Sequence, residues 1–207
     1  MIIYNIIFID TLTILLFLYM RIESIKWYWK ERTKFVHYPD AIYYKLKNYL
    51  PIRSLITYTS SGTYLSFYSS IYSYIYYTPP PSYILSLTWT TLFTTTIGYY
   101  IFVFPSFKTT KNPDNLKLDL LNHGPLLLLS SIKNLYFDNV FKLSEIFYPL
   151  LFGYFWFFFI WGSWYLTTGD YLYSKLSNLY SMKEKIITIL KMNFLGFIGF
   201  LTAYLYY

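Results

Sequence analysis

Six apolar stretches spaced along the 207-residue chain are what most restrict the folds open to it. They run over Ile2–Met20, Leu55–Tyr77, Tyr83–Pro105, Leu118–Tyr136, Phe147–Thr168 and Ile186–Tyr207. Each is close to the ~20 residues that an α-helix needs to cross the hydrocarbon core of a bilayer. A soluble domain would wrap one apolar core in a charged shell. Here charged residues make up 13% of the chain, about half the usual share, and they gather in the gaps. The pattern predicts an all-α fold, a polytopic membrane helical bundle of about six transmembrane helices. Residues 1–207 form a single integral membrane domain, with 21–53 as a basic, aromatic interfacial loop.

The net charge of +7 invites a nucleic-acid reading, but its distribution points to a membrane surface. Arg21, Lys26, Lys30, Arg32, Lys34, Lys45, Lys47 and Arg53 fall in the first gap. Lys108, Lys111 and Lys117 fall in the third, and Lys175, Lys183 and Lys185 in the fifth. The second gap holds none and the fourth holds Lys142 alone. This alternation is what the positive-inside rule gives for six spans. It puts the odd loops on the cytoplasmic or matrix side and both termini opposite. Lys133 and Lys191 lie near span ends, where a long side chain reaches the interface. Membrane lipids are therefore expected partners and nucleic acid is not. The first stretch lacks a basic lead and a small-residue cleavage site, and Asp10 interrupts it, so it reads as a retained span.

Local signals refine the outline. Ile25–Lys34 and Ala41–Tyr49 are candidate short interfacial helices, separated by Pro39. Spans two and three are crowded with Ser and Thr, residues that let helices approach closely. Pro79–Pro81 makes a stiff, short connection that should set these two spans side by side and antiparallel. Span four is the least hydrophobic, and Pro125 should kink it near His123. Span five is heavily aromatic and reads as lipid-facing and packing surface. Asn193, Gly196 and Gly199 in the last span suit close helix contact.

Few groups could carry chemistry. The chain has no cysteine, which excludes disulfides, thiolate metal sites and a Cys nucleophile. Its two histidines are far apart, so a zinc site is not expected, nor is a cofactor or a haem-ligand pair. His123 is the histidine inside a span. Asp119, four residues earlier, shares its helical face and could hold the imidazole tautomer. The same residues read equally as a hydrogen bond that ties helices together. A Ser or Thr nucleophile would need His123 within hydrogen-bond reach. No Gly-x-Ser-x-Gly elbow or phosphate-binding glycine loop is present.

Four short motifs occur in order. They are Gly62-Thr63-Tyr64-Leu65-Ser66-Phe67, Leu121-Asn122-His123-Gly124, Gly153-Tyr154 followed by Trp164, Thr168-Gly169, Tyr171 and Tyr173, and the last span around Met192-Asn193-Phe194-Leu195. Together they resemble the androgen-induced and androgen-dependent tissue-factor-pathway-inhibitor-regulating protein family over Gly62 to Tyr207. That resemblance implies a multipass membrane hydrolase of fatty-acid esters of hydroxy fatty acids. It puts the nucleophile on Ser66, where the family has Thr, and the base on His123. Asp119 or Asn122 would orient the imidazole. A lipid ester would be the substrate, and the location an endomembrane or the plasma membrane. The rival expectation is a non-catalytic accessory subunit of a larger membrane complex, such as a mitochondrial respiratory-chain or ATP synthase assembly in the inner membrane. The lack of cysteine, the small size and the extreme aromatic content support it. A transporter is a third option, with Asp10 and Asp119 as its candidate coupling residues.

Overall fold

A computed structural model describes residues 2–32, 58–103, 120–137, 141–168 and 181–206. The protein is an all-α bundle, and no strand occurs among the described residues. Helix α1 is Ile2–Arg32, α2 is Tyr58–Tyr76, and α3 is Ser82–Gly98, which continues into a π-helical turn at Tyr99–Val103. Helix α4 is Pro125–Asn134. Helix α5 starts with a 3-10 turn at Leu143–Ile146, runs through Phe147–Phe155, widens to a π-helical stretch at Trp156–Trp161 and ends with Gly162–Thr168. Helix α6 is Met182–Tyr206.

Three helical segments are long and apolar enough to cross a membrane, namely Tyr4–Lys26, Leu143–Leu166 and Met182–Tyr206. They are compatible with an integral membrane protein. Helix α2 has 19 residues, about 28 Å, which also suits a span by length. Its hydroxyls lower its hydropathy, and most of them are buried.

The centre of the bundle is α3, which packs on α2, α4, α5 and α6. A helix buried on all sides cannot be amphipathic, and this one has no polar face. Its threonines solve the packing problem locally. Thr88 donates to Ile84 O at 2.7 Å, Thr94 to Thr90 O at 2.7 Å and Thr95 to Thr91 O at 2.9 Å. Each hydroxyl is thus satisfied by its own helix, and the small side chain lets a neighbour come close.

The connection between α2 and α3 is as short as the prolines predict, and the two helices pack antiparallel. Its first residue, Tyr77, has φ 53°, the left-handed region. Its N–H donates to Ser73 O at 2.9 Å and so closes the last turn of α2. A left-handed conformation costs a non-glycine residue roughly 1–2 kcal/mol. The ring is 71% exposed, so little packing offsets that cost. Tyr77→Gly should therefore be neutral to stabilising, by up to ~1 kcal/mol after the added freedom of the unfolded chain is counted. Thermal unfolding in detergent checks it, and a clear fall in midpoint would refute it.

Helix α6 runs antiparallel to α3 at very close range. A Cβ on Gly199 would sit 2.6 Å from Phe93 Cδ1, and one on Gly196 would sit 3.5 Å from Thr94 Oγ1. Trp89 Nε1 donates to Gly199 O at 3.0 Å across the same contact. Gly199 is therefore at the tightest contact among the described glycines, and a Cβ on Gly196 would make ordinary contact. Along α5, Phe147, Leu151, Phe155, Phe158 and Phe159 are exposed, as a lipid-facing or packing surface would be. Successive helices alternate in direction, so the start of α1, the α2–α3 turn, Phe137 and the end of α6 share one face of the bundle.

Two expectations need correction. Ile25–Lys34 is not a separate interfacial helix, because α1 continues unbroken to Arg32. The chain has no Pro or Gly there to stop it. Span four is broken, not kinked. Residues 120–122 are helical, His123 and Gly124 form a turn, and Pro125 is the first residue of a new helix. Proline fits that position because its missing N–H would have no helical partner there. The 10 residues of α4 cover only about 15 Å. Ala41–Tyr49 and most of the basic 21–53 segment lie outside the described residues.

Candidate functional site

His123 sits in the turn that precedes α4. Its backbone N–H donates to Leu120 O at 3.3 Å. Its ring stacks on Tyr99, with centroids 3.9 Å apart and planes 5° from parallel. Tyr99 is the residue at which α3 gives way to its π-helical turn. Next door, Asn122 Oδ1 accepts from Arg21 Nη2 at 3.1 Å, and Arg21 Nη1 donates to Ser60 Oγ at 3.0 Å. The guanidinium also lies 5.8 Å from the centroids of the Phe17 and Tyr64 rings. Arg21 therefore joins α1, α2 and the turn before α4. It had counted as a loop cation, yet it is buried.

Ser66 lies on α2 and is buried. Its level in the bundle follows from the α2–α3 contact, where a Cβ on Gly62 would meet Leu92 Cδ2 at 3.2 Å and Thr91 Cγ2 at 3.4 Å. Ser66 is one turn further along α2, which in an antiparallel pair is one turn back along α3, near Thr88. His123 is beside Tyr99, at the other end of α3. Eleven residues of α3 separate those two levels, and by the Arg21 tie between Ser60 and Asn122 the offset along α2 is six residues, so the two heights differ by about 9–16 Å. The helix registers thus put Ser66 and His123 at different heights in the bundle. Asp119 lies outside the described residues. Asn122 is turned to Arg21, so its carbonyl oxygen is already engaged.

The strongest interior polar cluster lies elsewhere. Lys133 Nζ donates to Asp10 Oδ1 at 2.7 Å, to Ser69 O at 3.3 Å and to Ser69 Oγ at 3.4 Å. The two charged side chains are 5% and 1% exposed. Ser70 also lies close to the Asp10 carboxylate. Lys133 does not reach the interface as its position near a span end suggested. It points inward because its helix is short and Asp10 lies opposite. Three acceptors match the three donors of an ammonium, so the cation is fully satisfied. The pair clamps α4 to α1 and α2, which is an interhelical role.

Sequence reasoning had marked Asp10 as an interruption of span one and Lys133 as a peripheral cation, and it did not join them. One signal could have done so. Asp10 is the lone charge of span one and Lys133 the lone base of span four, and such residues pair when both must be buried. Other ties follow the same logic. Asn5 Nδ2 donates to Tyr136 Oη at 3.4 Å, Asn193 Nδ2 donates to Tyr154 Oη at 3.2 Å, and Ser82 Oγ donates to the buried Glu145 carboxylate. Among the described residues, no group of three His, Cys, Asp or Glu side chains could hold a metal ion. Comparison with family models, with curated proteins and with solved structures gives no match to this chain.

Proposed function

We propose that this chain is a non-catalytic subunit that packs into a larger membrane assembly. The observation that carries this reading is the separation of Ser66 from His123 along α3. A hydroxyl nucleophile needs its base within about 3 Å, directly or through one water. Here the interior polar groups are used to tie helices together. Arg21 joins α1 to α2 and the turn before α4, Lys133 joins α4 to α1 and α2, and Trp89 bonds the backbone of α6. The aromatic outer surface of α5 supplies the broad apolar faces on which neighbouring subunits pack. A mitochondrial inner membrane is the location that goes with this reading.

The test is co-migration. The tagged full-length chain, solubilised in mild detergent, should run in a particle several times its own 25.0 kDa. It should stay with the same stoichiometric partners through two unlike separations. Migration as a stable lone chain would overturn the proposal.

The second reading is the lipid ester hydrolase, supported by the ordered motifs that surround Ser66 and His123. It would work by His123 taking the Ser66 proton as the hydroxyl attacks an ester carbonyl, with water then releasing the acyl group. An endomembrane or the plasma membrane goes with it. The two readings part on one measurement, the labelling of the purified protein by a fluorophosphonate. The subunit reading expects no adduct at Ser66. An adduct that disappears in both Ser66→Ala and His123→Ala would favour the hydrolase.

A further inference from the structure

The Asp10–Lys133 pair is deep in the bundle, but something lies directly above it. Asp10 is six residues into the Tyr4–Lys26 span, about 9 Å along the helix. A cavity of ≈ 40 Å³ lies between the pair and the nearer face of the bundle. Ile6, Ser73, Phe137 and the Tyr77–Pro79 turn are among its walls. Ile6 comes four residues before Asp10, Ser73 four after Ser69, and Phe137 four after Lys133. Three separate chain segments thus put the cavity one helical turn from the ion pair, on the side of the α2–α3 connection.

We propose that this cavity is a hydrated vestibule, a binding site for water one helical turn from the Asp10–Lys133 pair and linked to it through Ser73 and the Ser69 carbonyl. The walls carry the polar groups that water needs, whereas cavities that stay dry are lined by apolar groups alone. The hydroxyl of Ser73 is in the wall, and it donates to Ser69 O at 3.1 Å. That same carbonyl accepts from Lys133 Nζ at 3.3 Å. Hydrogen bonds therefore run from the cavity wall to the ion pair without a gap. The volume has room for about two or three water molecules.

The absence of cysteine from the chain makes the test clean. Single variants Ser73→Cys, Tyr77→Cys and Ser86→Cys would be placed in liposomes with a known orientation. They would be exposed to methanethiosulfonate ethylammonium, a small charged reagent, from each side in turn. Tyr77 is exposed on the turn and gives the upper limit, and Ser86 is fully buried on α3 and gives the background. Ser73→Cys should react within about tenfold of Tyr77→Cys, from the Pro79 side alone, and at least a hundredfold faster than Ser86→Cys. A rate equal to that of Ser86→Cys would overturn the proposal and make the cavity a dry gap. A polyethylene-glycol maleimide is too large for the cavity and should label Tyr77→Cys but not Ser73→Cys. Labelling of both would mean that the helix end opens, and would also overturn it. Should Ser73→Cys not fold, Ile7→Cys tests the opposite wall on α1 with the same two reagents.

Discussion

Lys133→Met should be the most damaging single substitution in the interior. It removes the cation and leaves the Asp10 carboxylate, 0% exposed, against Ser69, Ser70 and apolar neighbours. Breaking one side of a buried ion pair costs about 3–5 kcal/mol, most of it the cost of the charge left behind. Asp10→Asn should cost less than Asp10→Leu, because an amide can still accept from the ammonium. The decisive comparison is the double variant Asp10→Leu/Lys133→Met. With both charges gone and similar volume retained, it should regain most of the lost stability. Thermal unfolding in detergent reads all four variants. A Lys133→Met midpoint equal to that of the parent would mean that the pair does not hold α1, α2 and α4 together.

The second large effect is expected at Gly199. A Cβ there would lie 2.6 Å from Phe93 Cδ1 and 3.2 Å from Phe93 Cβ, so rotating the ring cannot relieve the clash. Gly199→Leu must push α6 away from α3 and break the Trp89–Gly199 hydrogen bond. Overpacking alone costs about 1–3 kcal/mol. The geometry offers a direct readout. A Cβ on Gly196 would be 3.5 Å from Thr94 Oγ1, so side chains at these two positions touch and a cysteine pair there is within reach of cross-linking. Thr94→Cys/Gly196→Cys should cross-link on oxidation in an otherwise unchanged chain and fail to cross-link once Gly199→Leu is added. Adding Phe93→Ala to that background should restore part of the cross-link. Cross-linking unaffected by Gly199→Leu would show that α6 is not seated on α3 as described.

The helices were legible in the sequence, and the reasons are local. Apolar length marks α1, α5 and α6, the prolines mark the α2–α3 turn, and Gly196 and Gly199 mark a close contact. The break before α4 was half legible. Pro125 signals either a kink or a first helical residue, and His123-Gly124 as a turn decides for the latter. Pairings between distant helices were not legible. Asp10 and Lys133 are 123 residues apart, and no local rule says which helix faces which. The same gap hid the distance between Ser66 and His123. Spacing along one helix tells which side chains share a face, but the height at which two helices meet depends on every contact between them. Arg21 was misjudged for a related reason. A positive charge at the end of a span normally reaches water, and here Ser60 and Asn122, from distant parts of the chain, draw it inward.

The buried threonine helix has a bearing on how the protein is made. Helix α3 leaves the ribosome well before α6, the helix that covers much of it. Until then its hydroxyls, of which those of Thr88, Thr94 and Thr95 are bonded within the helix, face a solvent of acyl chains from which bundle burial would remove them. The centre of the bundle thus cannot close until the 25 residues of α6 have followed. A premature stop before Met182 would leave inserted helices without a finished core, and such a product is a natural target for membrane quality control.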